Sequence, residues 1–272
     1  MKHITTYFSM IIVLLSFSAS MIPSHTYAEN IQTKTIKYKV DGQVFVGTIS
    51  FDKDIKTQRP GILVVHEWWG HTDYAKQRTI DLAKLGYTAL ALDMYGDGKT
   101  VDHPKDAGAM SSALTSDWDV VQERFVKALS ILKKHKSVDE TKTAAIGYCM
   151  GGKIALEMAR RNVGIDAVAS FHGSLTTQHP FSKDESAIKV LVANGADDPF
   201  VKHEDVTAIE NEMKAASIDY VVKNYKGAKH SFTNKGSTEI GKKFNLPLEY
   251  NEEADKDSWS ELQKLLQKTW AS

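Results

Sequence analysis

The sequence predicts an α/β fold: a mostly parallel central sheet with helices on both faces and an N-terminal β-hairpin. Three observations carry this. Strand-like apolar runs alternate with helix-periodic segments through most of the chain, the pattern of a parallel sheet built from right-handed crossovers. Gly61-Ile62-Leu63-Val64-Val65 is continuously apolar, as expected of a strand buried on both faces. Near the start, two alternating segments flank Asp41-Gly42, a dipeptide suited to a tight hairpin turn.

The elements follow in order. Ile36 to Val40 and Val44 to Ile49 form the hairpin, and Gly61 to Val65 is the first buried strand. A helix is expected from Tyr74 to Leu85, a strand over Thr88 to Leu92, and helices over Lys105 to Leu114 and Trp118 to Lys134. Thr143 to Ile146 reads as a strand, followed by helical spacing from Ile154 to Ala159. Ala167 to Phe171 and Val190 to Ala193 are strands, Glu204 to Ala216 a helix, Tyr220 to Lys223 a strand, and Asn251 to Trp270 the last helix. Such sheets bind ligands at the carboxyl edge of their strands.

Residues 1–28 read as a signal peptide. Lys2 and His3 precede a largely apolar stretch from Phe8 to Met21, Pro23 interrupts it, and Thr26-Tyr27-Ala28 offers a small-residue cleavage site. Retention as an N-terminal anchor is the alternative. Residues 29–272 then form one domain, exported to the periplasm or the medium. Lys+Arg and Asp+Glu both number 34, so no basic field points to nucleic acid, and no membrane partner is expected after cleavage. Monomer and homodimer both remain open. No metal or organic cofactor is expected. The single cysteine, Cys149, excludes an intrachain disulfide. In an exported protein an unpaired thiol is exposed to oxidation.

Cys149 lies in Ile146-Gly147-Tyr148-Cys149-Met150-Gly151-Gly152, the G-x-Nu-x-G pattern of a nucleophile elbow with cysteine as the nucleophile. A strand-to-helix turn that tight strains the nucleophile's backbone, and Gly147 and Gly151 remove colliding Cβ atoms. Placed at a helix N-terminus, the thiol is favoured as thiolate. Asp197-Asp198 follows a strand, and His230 follows the last strand. Nucleophile, acid, histidine is the chain order of a hydrolase triad, in which histidine takes the thiol proton and the carboxylate fixes its tautomer. Asp198 is preferred to Asp197 because Gly195-x-x-Asp198-x-x-Val201 sets it at the turn. His66 and His172 read as structural or rim residues.

The chain resembles the dienelactone hydrolase family. The resemblance rests on Val64-Val65-His66-Glu67-Trp68-Trp69-Gly70, Ala91-Leu92-Asp93-Met94-Tyr95, Gly147 to Gly152, Gly195-x-x-Asp198 and Lys229-His230-Ser231-Phe232. It implies the α/β-hydrolase fold and a carboxylic ester hydrolase of the carboxymethylenebutenolidase type. It also implies a Cys149–His230–Asp198 triad, Glu67 beside the resting thiol, and an oxyanion hole from the backbone N–H groups of Trp68 and Met150. Trp68, Trp69, Tyr95 and Phe200 are expected as pocket walls. Where the family holds a substrate carboxylate with two arginines, this chain has Asp97 and Asn234. The geometry implied by the resemblance then disfavours an anionic substrate, unless Arg78 or a lysine compensates. The functional expectation is cleavage of a small ester or lactone through a thiol-acyl intermediate. The alternative is a catalytically silent ligand-binding or redox-sensing protein on the same scaffold.

Overall fold

The computed structural model describes residues 30–183 and 187–271; the signal-peptide expectation for residues 1–28 lies outside them. Strands β1 (Ile31–Val40), β2 (Gln43–Asp52), β3 (Arg59–Val65), β4 (Thr88–Leu92), β5 (Val138–Tyr148), β6 (Ala167–Phe171), β7 (Lys189–Gly195) and β8 (Asp219–Tyr225) form one sheet. Its order is β1-β2-β4-β3-β5-β6-β7-β8. β1 pairs antiparallel with β2, and β2 antiparallel with β4. From β4 to β8 every pairing is parallel. The hairpin turns at Asp41 and Gly42, both with positive φ.

Helices α1 (Asp73–Lys84), α2 (Pro104–Thr115), α3 (Trp118–Lys133), α4 (Met150–Arg160), α5 (His203–Ala215), α6 (Ser237–Phe244) and α7 (Glu252–Trp270) complete the described elements. Successive strand residues face opposite sides of the sheet, and this divides the core in two. Leu63, Val65, Ala145, Val168, Val190 and Val192 pack with residues of α3, α4 and α5. Ile62, Val64, Ala144, Ile146, Ala169 and Leu191 pack with residues of α1 and α7. Apolar residues at both parities are what made the strand runs continuous. Among the described residues, no helix is long and apolar enough to cross a membrane.

Two departures from the sequence reading concern the site. α4 begins at Met150, directly after the elbow, and not at Ile154; Gly151 and Gly152 hid the start from a reading based on apolar spacing. α6 was not expected at all. Its sequence carries few apolar residues and an internal glycine. Gly241 has a packing reason, because a Cβ there would overlap the carbonyl of Leu248. That close approach seats the segment after α6 beside His230, which bridges to Leu248.

Candidate active site

The site collects at the carboxyl edge of the parallel strands. β5 ends at Tyr148, and Cys149 turns the chain into α4 with φ 54° and ψ −118°, a sparsely populated conformation for a residue with a side chain. The turn closes only without side chains at its flanks. A Cβ on Gly147 would overlap the Gly151 carbonyl, and one on Gly151 would overlap the Val65 carbonyl of β3. The Cys149 N–H donates to the Phe171 carbonyl at 3.0 Å and to His172 Nδ1 at 3.1 Å. The thiol is free and partly exposed.

His230 stands after β8 with Nε2 3.1 Å from Cys149 Sγ and Nδ1 2.7 Å from Asp198 Oδ2. Asp198, after β7, also accepts from the Phe200 N–H at 2.8 Å through Oδ1. Asp198 is buried, whereas its neighbour Asp197 is exposed. Burial by itself lowers the His230 pKa. The negative charge at Cys149 and the hydrogen bond that His230 donates to Asp198 outweigh it, and the pKa is raised to about 10. The environment thus favours the protonated imidazole once His230 takes a proton.

Glu67 is 2 % exposed. Ser231 Oγ donates to its Oε1, and Asn234 Nδ2 donates to its Oε2 at 2.7 Å. Among the described residues Glu67 makes no hydrogen bond to Cys149, whose thiol faces His230. The expected contact between Glu67 and the resting thiol is therefore corrected. The carboxylate has two polar partners from the His230 loop, and these turn it toward that loop. Burial raises its pKa, opposed by Ser231, Asn234 and the charge of His230.

A cavity of ≈ 270 Å³ opens over the thiol. Trp68, Cys149, Met150, Phe200 and His230 line it, with Lys153 and the hydroxyls of Ser111, Thr115 and Ser174. Phe200, 55 % exposed, meets the His230 ring edge-on with centroids 5.0 Å apart. Two expected walls lie elsewhere. Trp69 is 6 % exposed and packs with Ala107 and Leu248 in a small cluster of its own. Tyr95 is buried behind Trp68, to whose carbonyl its hydroxyl donates at 2.9 Å. Both support the wall and do not form its surface. Asp97 is exposed and is not part of the lining, so it places no negative charge over the thiol.

His66 and His172 are both structural. His66 Nε2 accepts the Met94 N–H at 3.2 Å, so Nδ1 carries the proton and donates to the Glu67 carbonyl at 2.6 Å. This fixes the loop that bears Glu67 and Trp68. His172, with its Nδ1 accepting from Cys149, donates through Nε2 to Thr233 Oγ1 at 2.8 Å. Burial lowers the pKa of both rings, which keeps each in one neutral tautomer. Arg78 is engaged by Asp255 at 2.7 Å and does not line the cavity. Among the described residues no three His, Cys, Asp or Glu side chains gather as metal ligands. Sequence reasoning missed Lys153, Ser231 and the Leu246–Leu248 wall. Lys153 was detectable at the start of α4 once that helix is placed from Met150.

A family model described as the dienelactone hydrolase family matches residues 46–270. Protein usf of Aquifex pyrophilus is 28 % identical over 66 % of this chain and 80 % of its own. A putative carboxymethylenebutenolidase of Aquifex aeolicus is 27 % identical over the same shares. Among solved structures, a dienelactone hydrolase-like promiscuous phosphotriesterase from metagenomic libraries is 31 % identical, covers 88 % of this chain and 99 % of its own, and superposes with a TM-score of 0.81.

Proposed function

Since this chain belongs to the dienelactone hydrolase family, has the α/β-hydrolase fold and is a carboxylic ester hydrolase, we propose that it cleaves small esters or lactones by acyl transfer to Cys149. The observation that carries this reading is the continuous hydrogen-bonded line Asp198–His230–Cys149 opening into the cavity.

The Cys149 thiol gives its proton to His230 Nε2, and the thiolate attacks the substrate carbonyl carbon. Charge builds on the carbonyl oxygen, where the backbone N–H groups of Trp68 and Met150 receive it. Both residues line the cavity, and neither N–H is used by a protein acceptor among the described residues. When the C–O bond breaks, the imidazolium protonates the leaving alkoxide and a thioester remains. Water then attacks the thioester, His230 takes its proton, and the acid and the thiol are released. Asp198 holds the Nδ1–H tautomer throughout. Glu67 acts on this machinery through its charge near His230 and its grip on Ser231 and Asn234, as a positioning residue.

Export belongs to the same proposal and rests on the apolar run from Phe8 to Met21 ahead of Ala28. A second reading, attack of the same thiolate on a phosphotriester, is favoured by the 31 % identity to the promiscuous phosphotriesterase.

Hydrolysis of 4-nitrophenyl acetate by the wild type and by Cys149→Ala tests the main reading, with mass spectrometry of a rapidly quenched reaction. The expected result is turnover that disappears in the variant and a mass increase of one acetyl group on the Cys149 peptide. Full activity in Cys149→Ala would exclude the thiol mechanism.

A further inference from the structure

The two backbone N–H groups assigned to the oxyanion, those of Trp68 and Met150, are held differently. Met150 opens α4, whereas Trp68 sits in the turn after β3. A turn peptide can tilt unless its neighbours hold it, and an oxyanion donor works by being aimed before charge develops. The Trp68 N–H belongs to the same peptide group as the Glu67 carbonyl. That peptide is trans, so its N–H points away from the groups that bind its oxygen.

His66 Nδ1 donates to the Glu67 oxygen at 2.6 Å. The Gly70 N–H donates to it at 3.2 Å and closes the turn. The His66 ring is itself locked, because its Nε2 accepts the Met94 N–H at 3.2 Å. Hydrogen bonding at a peptide oxygen draws electron density from the nitrogen and strengthens the N–H as a donor, by roughly 10–30 % per bond. His66 is fully buried and does not line the cavity, so it acts on substrate only through this peptide.

Tyr95 holds the next peptide. Its hydroxyl donates to the Trp68 carbonyl at 2.9 Å and lies 3.4 Å from Met150 Sδ. One buried phenol thus touches both residues whose N–H groups face the oxyanion. Its ring packs on His66 with centroids 5.0 Å apart. Met94 and Tyr95 belong to one turn, pinned by the buried Asp93 carboxylate. That carboxylate accepts the N–H groups of Tyr95 at 2.9 Å and of Gly96 and Gly98 at 2.8 Å. A single pinned turn therefore presents both the Met94 N–H to His66 and the Tyr95 hydroxyl to Trp68.

We infer that His66 and Tyr95 are positioning residues of the oxyanion hole: both aim the Trp68 N–H at the substrate carbonyl, and His66 strengthens it as a donor through the Glu67 carbonyl. The inference rests on the acyl-transfer reading above. It gives a catalytic consequence to two side chains that do not meet the substrate.

The test compares turnover of 4-nitrophenyl acetate with alkylation of Cys149 by iodoacetamide. Both reactions use the same thiol, but alkylation builds no charge on a carbonyl oxygen. In His66→Phe kcat should fall about tenfold with KM little changed, a smaller loss than the ~100-fold or more for deleting an oxyanion donor outright. His66→Gln restores an amide N–H for the Glu67 carbonyl and should recover most of kcat. Tyr95→Phe removes only the hydroxyl and should lower kcat about fivefold, the worth of one neutral hydrogen bond. Alkylation should stay within about twofold of wild type in all three variants, because no oxyanion forms. A kcat within about twofold of wild type in His66→Phe or Tyr95→Phe overturns the role of that residue. An equal fall in turnover and alkylation also overturns it, because the defect then lies at the thiol. His66→Gln as slow as His66→Phe traces the loss to ring packing and overturns the role of His66. If His66→Phe does not fold, Tyr95→Phe decides by the same two readouts. Absence of wild-type turnover with Cys149 still alkylated overturns the acyl-transfer reading, and this inference with it.

Discussion

The imidazole of His172 accepts the backbone N–H of Cys149 at 3.1 Å, so a buried neutral histidine supports the elbow from behind. His172 itself has a positive φ of 42°, and its ring lies edge-on to His230 with centroids 5.3 Å apart. Two strained residues directly after neighbouring strands, Cys149 after β5 and His172 after β6, thus hold each other. From His172 the network runs to Thr233 Oγ1 and on to the Tyr74 hydroxyl at 2.6 Å. Strain at a functional site persists when its surroundings over-determine it, and this network supplies part of that constraint.

His172→Phe keeps the ring volume and removes both hydrogen bonds. It should lower stability by about 1–3 kcal/mol, the cost of leaving buried polar groups unpaired. It should lower kcat for an aryl ester more than it changes KM, because the thiol is displaced while the cavity wall stays intact. Chemical denaturation and steady-state kinetics check the two effects separately. An unchanged kcat with reduced stability would make the ring a purely structural support.

Acidity at His230 gives a second prediction. Its folded pKa, raised to about 10, exceeds the ordinary value of 6.5. A raised pKa stabilises the folded protein fully below the unfolded value, and the contribution is lost as pH rises through the folded one. Here the opposing charge is the Cys149 thiolate, so the pair acts together. The stability difference between wild type and His230→Gln should therefore shrink between about pH 7 and pH 10, as urea unfolding across that range would measure. Alkylation of Cys149 by iodoacetamide at about pH 7 should be slower in His230→Gln than in the wild type, because the variant has no base beside the thiol.

Glu67 supplies a third. Glu67→Gln preserves shape but removes the negative charge near His230 and sets an amide N–H against the Ser231 hydroxyl or the Asn234 amide. Loss of that charge weakens the imidazolium, so the alkaline limit of the Cys149–His230 pair should move to lower pH and kcat/KM should fall about tenfold or more. Asn234→Asp is expected to be worse for stability, since it places a second carboxylate within 2.7 Å of a buried one. A pH–rate profile and a thermal melt distinguish the two variants.

The neighbouring aspartates give the fourth. Asp198 contacts His230 and Asp197 does not, so Asp198→Asn should reduce kcat by about 100-fold or more through the wrong histidine tautomer. Asp197→Asn, at an exposed position, should leave kcat within about twofold. Side-by-side kinetics on one ester settles the comparison, and equal losses would contradict the assignment of Asp198.

The sequence alone determined the α/β architecture, the strand and helix order except α6, and the candidates Cys149, His230 and the Asp197–Asp198 pair, because these follow from local periodicity and from motifs a few residues long. Glycine at 147 and 151 marked the elbow for the same local reason. The tertiary structure decided everything that depends on distance across the chain. Cys149 and His230 are 81 residues apart in sequence and 3.1 Å apart in space, and strand ends of the parallel sheet bring them together. The choice between Asp197 and Asp198 depends on which of two adjacent side chains the turn after β7 buries. Trp69 and Tyr95 have the same aromatic character as Trp68 and Phe200, so composition could not separate support from surface; only packing against Ala107, Leu248 and the Trp68 carbonyl does. The orientation of Glu67 was likewise beyond sequence, since a carboxylate turns to whichever donors the fold presents, and here those are Ser231 and Asn234 of the loop that carries His230.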